Sequence, residues 1–167
     1  MIVKKLHILG AYLVDQLRSE LEAQGHNNTG ELAASIRYKI ESTSDGYELI
    51  FTAKDYAKFV NNGIRPGKWV NVMALAKWVE QRGIASGDKE VKSAAWAIAR
   101  KIFQEGSPTK NAYSFSSNGR RKEFIELVFA ENEKFILSEL LSIFSDEITS
   151  RLDNTLKANR AAYLSTE

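Results

Sequence analysis

The chain contains no cysteine, and only two prolines, two methionines and two histidines in 167 residues. Without cysteine there is no disulfide scaffold, no thiolate metal site and no cysteine nucleophile, and assembly in a reducing cytosol is expected. His7 falls in a predicted helix and His26 in a predicted turn, neither in a ligand-spaced cluster. No serine sits in a nucleophile elbow, and no glycine loop is built to cradle phosphate. Lysine and arginine number 23 against 21 aspartates and glutamates, a net charge of +2 that does not suggest a dedicated nucleic-acid binder. No apolar run is long enough to span a membrane. Lys4-Lys5 followed by Leu6 to Val14 faintly resembles a signal peptide. His7 interrupts that run, Asp15 closes it, and no good cleavage site follows, so a helix of the mature protein is expected.

What is present fits an ordinary folded domain. A hydrophobic content of 44% over this length can bury a core without staples. Leu6, Leu9, Leu13, Leu17 and Leu21 recur at steps of three and four, which predicts an amphipathic helix over 3–24. Gly25-His26-Asn27-Asn28 supplies its stop, with Gly25 suited to a left-handed cap. The period then changes to two. Ile36, Tyr38 and Ile40 alternate with charged residues, as do Tyr47, Leu49 and Phe51 after the turn Ser42 to Gly46. A β-hairpin over about 32–53 with one buried face is expected, and it must pack on a helix or gain strands to be stable.

Asp55 is a candidate cap for a short helix carrying Tyr56, Phe59 and Val60 inward, ended by Asn61-Asn62-Gly63. Asn71 and Asp88 are candidate caps for two further helices, and the short Gly83–Gly87 link predicts a helical hairpin over about 71–105. Residues 107–120 are rich in serine and asparagine. They predict either a loop with one short strand near Tyr113–Phe115 or an extended arm. From 121 to about 157 apolar residues recur every three to four positions, with Glu131 breaking the stripe; one long helix, or two in sequence, is expected. The fold class is therefore α+β, a single domain over 1–160 with a tail at 161–167.

Candidate contact residues fall in three groups. Arg65 and Lys68 flank Pro66-Gly67 beside Trp69 in an exposed loop, and Arg120-Arg121-Lys122 opens the last helical region. Such clusters either contact a nucleic-acid backbone or acidic protein face, or simply keep the chain soluble. Positive charge opposes the dipole at a helix start, so the second cluster has no evident helix-stabilising purpose. Trp96 lies off the Val91/Ala95/Ile98/Ile102 stripe and lines a partner surface or packs on the neighbouring helix, whereas Trp78 is expected in the core. Tyr113 and Phe115 complete the set on the 107–120 segment. The carboxylate pairs Glu20/Glu22 and Glu131/Glu133 sit among polar residues on predicted helix surfaces. Solvated faces are expected there, because a general acid needs an apolar or coupled environment to move its pKa.

Two separated blocks, Thr29-Gly30-x-Leu32-x-x-Ser35-Ile36 and Tyr56-Ala57-x-Phe59-Val60-x-x-Gly63, bracket the hairpin. With Ala74 to Val79, Arg82-Gly83-Ile84 and Ala97 to Ile102 before Gly106, they resemble, in order and spacing, the tail-completion and head–tail joining proteins of long-tailed bacteriophages and prophages. The resemblance covers roughly residues 5–150. One departure is Asn61-Asn62-Gly63-Ile64, where the family commonly has an acidic residue before Gly-Thr. The resemblance implies an α+β fold and a non-enzymatic virion protein with no catalytic group, metal or cofactor. It implies a homo-oligomeric ring at the neck or tail top, with portal or adaptor and tail-tube or tail-terminator proteins as partners. Such a ring would be assembled in the host cytoplasm, away from membranes, with DNA passing through its lumen. A small cytoplasmic nucleic-acid-associated or regulatory module is the alternative.

Overall fold

The computed structural model describes residues 2–26 and 29–164. Asn27 and Asn28 of the expected helix stop, and the last three residues of the expected tail, lie outside the described residues. The fold is α+β. Helices α1 (Ile2–Ala23) and α2 (Glu31–Ser35) precede an antiparallel pair, β1 (Arg37–Thr43) and β2 (Gly46–Thr52). There follow α3 (Ala57–Asn62), α4 (Val72–Gln81), α5 (Asp88–Glu105), a 3₁₀ turn over Lys110–Phe115, α6 (Phe124–Glu131) and α7 (Glu133–Leu164).

Helix α1 is the spine. Its leucine stripe is buried along the whole length, from Leu6 to Leu21. The helix ends in a Schellman motif: the His26 N–H reaches the Leu21 carbonyl, the Gly25 N–H reaches Glu22, and Gly25 adopts φ 71°. Against the C-terminal half of α1 lie Leu32, Ile36, Ala57, Phe124 and Val128, the first core. The hairpin pairs Tyr38 with Phe51 and Ile40 with Leu49, so its apolar residues share one face as the alternation predicts. That face docks on the helices. The Tyr38 ring lies over Gly10, its hydroxyl donates to the His7 carbonyl at 3.0 Å, and Phe51 meets Phe129 edge-on at 5.8 Å. Helices α4 and α5 form the expected hairpin around a second small core of Val79, Val91 and Ala95.

Several expectations are corrected. Residues 31–35 are helical rather than the start of a strand, because Gly30 (φ 72°) turns the chain and Arg18 satisfies the end of the resulting turn. Its Nε and Nη2 donate to the carbonyls of Ala33 and Ile36, each at 3.0 Å. Asp55 caps nothing, since α3 begins at Ala57 behind Tyr56 with no side-chain cap. Asp88 likewise lies inside α5 and pairs with Lys92 one turn on, whereas Asn71 caps α4 as expected, accepting from Met73 and Ala74 N–H. The 107–120 segment is neither strand nor extended arm. It is a 3₁₀ turn folded back on the end of α1, with the Ser117 N–H on the Ala23 carbonyl at 2.8 Å. The last helical region is two helices in sequence, one of the two expected arrangements, divided at Asn132 into α6 and α7; α7 runs helically to Leu164, through the start of the expected tail.

Candidate interaction site

The Tyr56–Gly63 block is a joint. Helix α3 has only six residues, so one face carries just two inward positions, Ala57 and Asn61. Tyr56 and Phe59, expected inside, are 41% and 54% exposed. Asn61 is 4% exposed and caps α6 from a distance: its Oδ1 accepts the Ile125 N–H at 3.0 Å, while its Nδ2 donates to both Glu126 oxygens at 3.0 and 2.8 Å. Its carbonyl also takes the Glu123 N–H. Beyond it, Gly63 (φ 73°) leads into a two-residue bridge in which Ile64 and Ser107 exchange both backbone hydrogen bonds. A Cβ on Gly63 would lie 2.1 Å from the Ser107 carbonyl, and one on Gly106 would lie 2.6 Å from that of Ile64. Only glycine at both positions lets the ends of α3 and α5 meet.

That bridge throws the 64–70 loop across α5. The Gly67 N–H donates to the Phe103 carbonyl at 2.7 Å, and Trp69 stacks on the Phe103 ring at 4.7 Å. Trp96, two turns earlier on α5, meets Trp69 edge-on at 6.1 Å. Trp69 and Trp96 are thus brought together, and each remains more than half exposed. Arg65 and Lys68 stand exposed beside them.

On the other side of the joint lies a cleft of about 510 Å³, lined by Tyr56, Phe59, Trp78, Ile98, Phe115 and Arg121 among others. Trp78, expected in the core, is only partly buried and lines this cleft. His26 opens onto it too. Burial, then the neighbouring Arg121 charge, pushes the imidazole down from 6.5 to about 4, while a contact with the Arg121 carbonyl at 3.2 Å acts the other way. Burial and then Arg82 lower the Arg121 guanidinium. Its Nη1 donates to the Gln24 carbonyl at 2.7 Å, and its Nε has no hydrogen-bond partner among the described residues.

The 120–122 cluster is therefore divided. Arg120 pairs with Glu131 at 2.6 Å, Arg121 turns in toward the end of α1, and the Lys122 carbonyl accepts from the buried Gln24 amide at 3.0 Å. These residues precede α6 rather than start it, and Arg121 and the Lys122 carbonyl fasten the chain to the end of α1. Arg65, Lys68 and Lys122 remain exposed. Tyr113 and Phe115 stand exposed on the 3₁₀ turn, Phe115 at the cleft. Local patterning did not reveal Asn61 or His26, whose partners are 64 and 95 residues away.

Among the described residues no cluster of three histidine, aspartate or glutamate side chains could hold a metal, and no helix is long and apolar enough to cross a membrane. The features together define an α+β helical scaffold carrying exposed aromatic surfaces on its loops. No protein-family model, no curated protein and no solved structure matches the chain.

Proposed function

We propose that the chain is a structural subunit of a bacteriophage virion. It acts at the neck or tail top as one member of a homo-oligomeric ring between portal or adaptor and tail. The observation that carries this reading is the division of labour within the resembling blocks. Several of their matching residues serve joints: Leu32, Ile36 and Ala57 in the first core, and Gly63 and Gly106 at the bridge. Those joints bring exposed aromatic side chains together, with Trp69 of the 64–70 loop and Trp96 of α5 in one group and Tyr113 and Phe115 of the 3₁₀ turn in the other. Exposed aromatic clusters of this kind fit protein partners. Identical subunits close a ring through heterologous contacts, which need two different surfaces on each copy. A net charge of +2 suits a conduit that passes DNA without gripping it.

The test is reconstitution. Purified chain is mixed with purified portal–adaptor complexes and with tail tubes, and association is read by sedimentation and electron microscopy. Ring-shaped density at either surface is expected, and W69A/W96A should abolish it. Monomers that bind neither component would overturn the reading. Binding to DNA that weakens steeply with added salt would favour the nucleic-acid module instead.

A further inference from the structure

Helix α7 has two faces. One lies on α1: Tyr12 meets the Phe135 ring at 4.6 Å, and Lys5 bonds Ser142 at 2.9 Å and Asp146 at 2.6 Å. At about 100° per residue the opposite face carries Leu137, Leu141, Phe144, Ile148, Leu152 and Leu156. These six are 52% to 68% exposed. From Ile148 to Arg160 every residue is exposed, so this end of the helix projects from the body. This stretch extends an already nucleated helix, but no tertiary packing covers its apolar face, and such packing is what gives most protein helices their stability.

We infer that this stripe pairs with the same stripe of a second copy, antiparallel, about a two-fold axis at Ile148. Charge beside the stripe decides the direction. Glu147 and Arg151 flank it, whereas Asp146 is held by Lys5 on the α1 face. An antiparallel pair sets Glu147 by the second copy's Arg151 twice over, whereas a parallel pair sets Glu147 level with Glu147 and Arg151 level with Arg151. The register follows from the stripe. Centring on Ile148 places Leu141 by the second copy's Leu156 and Phe144 by its Leu152. Glu147 and Arg151, which pair within one chain at 2.8 Å, then lie on the flank where they also face each other across the axis. The bodies end up at opposite ends of the pair. Six side chains with roughly 100 Å² of exposed surface each give roughly 600 Å² per copy, close to the about 800 Å² per partner of a standard interface. The contact is isologous and closes at two copies, so it goes beyond the proposed ring and does not depend on it.

The test uses the full chain. Light scattering at micromolar concentration should give near twice the 18.8 kDa of one chain. I148D, which sets two carboxylates face to face on the axis, should give the single mass with the urea midpoint of the body unchanged. Because the chain has no cysteine, orientation can be read by single-cysteine variants. L141C alone and L156C alone should not cross-link, since like positions lie about 22 Å apart at 1.5 Å per residue. Their equilibrated mixture should form the mixed disulfide. A monomeric wild-type chain overturns the inference. So does a variant that cross-links to itself. A ring whose size I148D leaves unchanged overturns the pairing and leaves the ring reading standing.

Discussion

Asn61 offers the sharpest test of how the molecule is joined. Replacing it with alanine removes the acceptor of the Ile125 N–H and the donor to the Glu126 carboxylate, both in a site that is 4% exposed. Loss of a cap costs about 1 kcal/mol, and loss of a hydrogen bond to a charged group about 1.5–3 kcal/mol. N61A should therefore destabilise the chain by about 3 kcal/mol, a fall in Tm of about 6–12 °C for a protein of this size. N61D separates the two parts. Its carboxylate can still accept from Ile125 but now faces Glu126 at the distance of the lost hydrogen bond. At neutral pH it should be at least as damaging as N61A. It should recover near pH 5, where the pair can share a proton and hydrogen-bond again. E126Q in the N61D background should restore a donor and much of the stability at neutral pH. Urea denaturation of the four proteins at pH 7.5 and pH 5 gives the values. A cost below about 1 kcal/mol for N61A, or an N61D penalty independent of pH, would refute the capping account.

Three further outcomes are expected. His26 titrates near 4 in the fold and near 6.5 when unfolded, so the unfolded chain gains a proton first as pH falls. Stability should drop between those values and level off below them, by about 1–2 kcal/mol once the partly open ring is discounted for solvent. H26Q should remove this component, visible as a shallower pH dependence of the urea midpoint than the wild type's; coincident curves would rule it out. G10A should destabilise by about 1–3 kcal/mol despite the better helix former, because its Cβ would lie 2.6 Å from the Tyr38 ring. In a Y38A background the same change should stabilise, and calorimetry reads the reversal of sign. N71A should cost about 1 kcal/mol and D55A less than about 0.5, since of these two only Asn71 accepts from a helix start.

The elements legible in the sequence are those whose signal is local and repeated. The leucine period of α1, the register of the hairpin and the Asn71 cap each rest on neighbours within a few residues, and each is found in place. Glu131, which breaks the apolar stripe, falls at the end of α6 just before the break at Asn132. The misjudged features depend on distant partners. Residues 31–35 look like a strand entry because Ile36 starts an alternation, yet the carbonyls of Ala33 and Ile36 are satisfied by Arg18. The 107–120 segment looks loose because serine and asparagine dominate it, yet Ser116 and Ser117 place both hydroxyls on the Ala23 carbonyl. Arg120 to Lys122 look like a patch because three cations are adjacent, yet two of the three are occupied inside the molecule. In each case a polar residue closes a backbone end that local geometry leaves open, and such a closure cannot be seen from spacing. The candidate site is affected more than the fold for the same reason. Loops are held by these closures, and a surface on a loop is only as legible as whatever pins it. Trp69 and Trp96 come together because Gly63 and Gly106 allow a two-residue bridge between segments 43 residues apart. The short block around Tyr56 therefore matters less for what it touches than for the loop it aims.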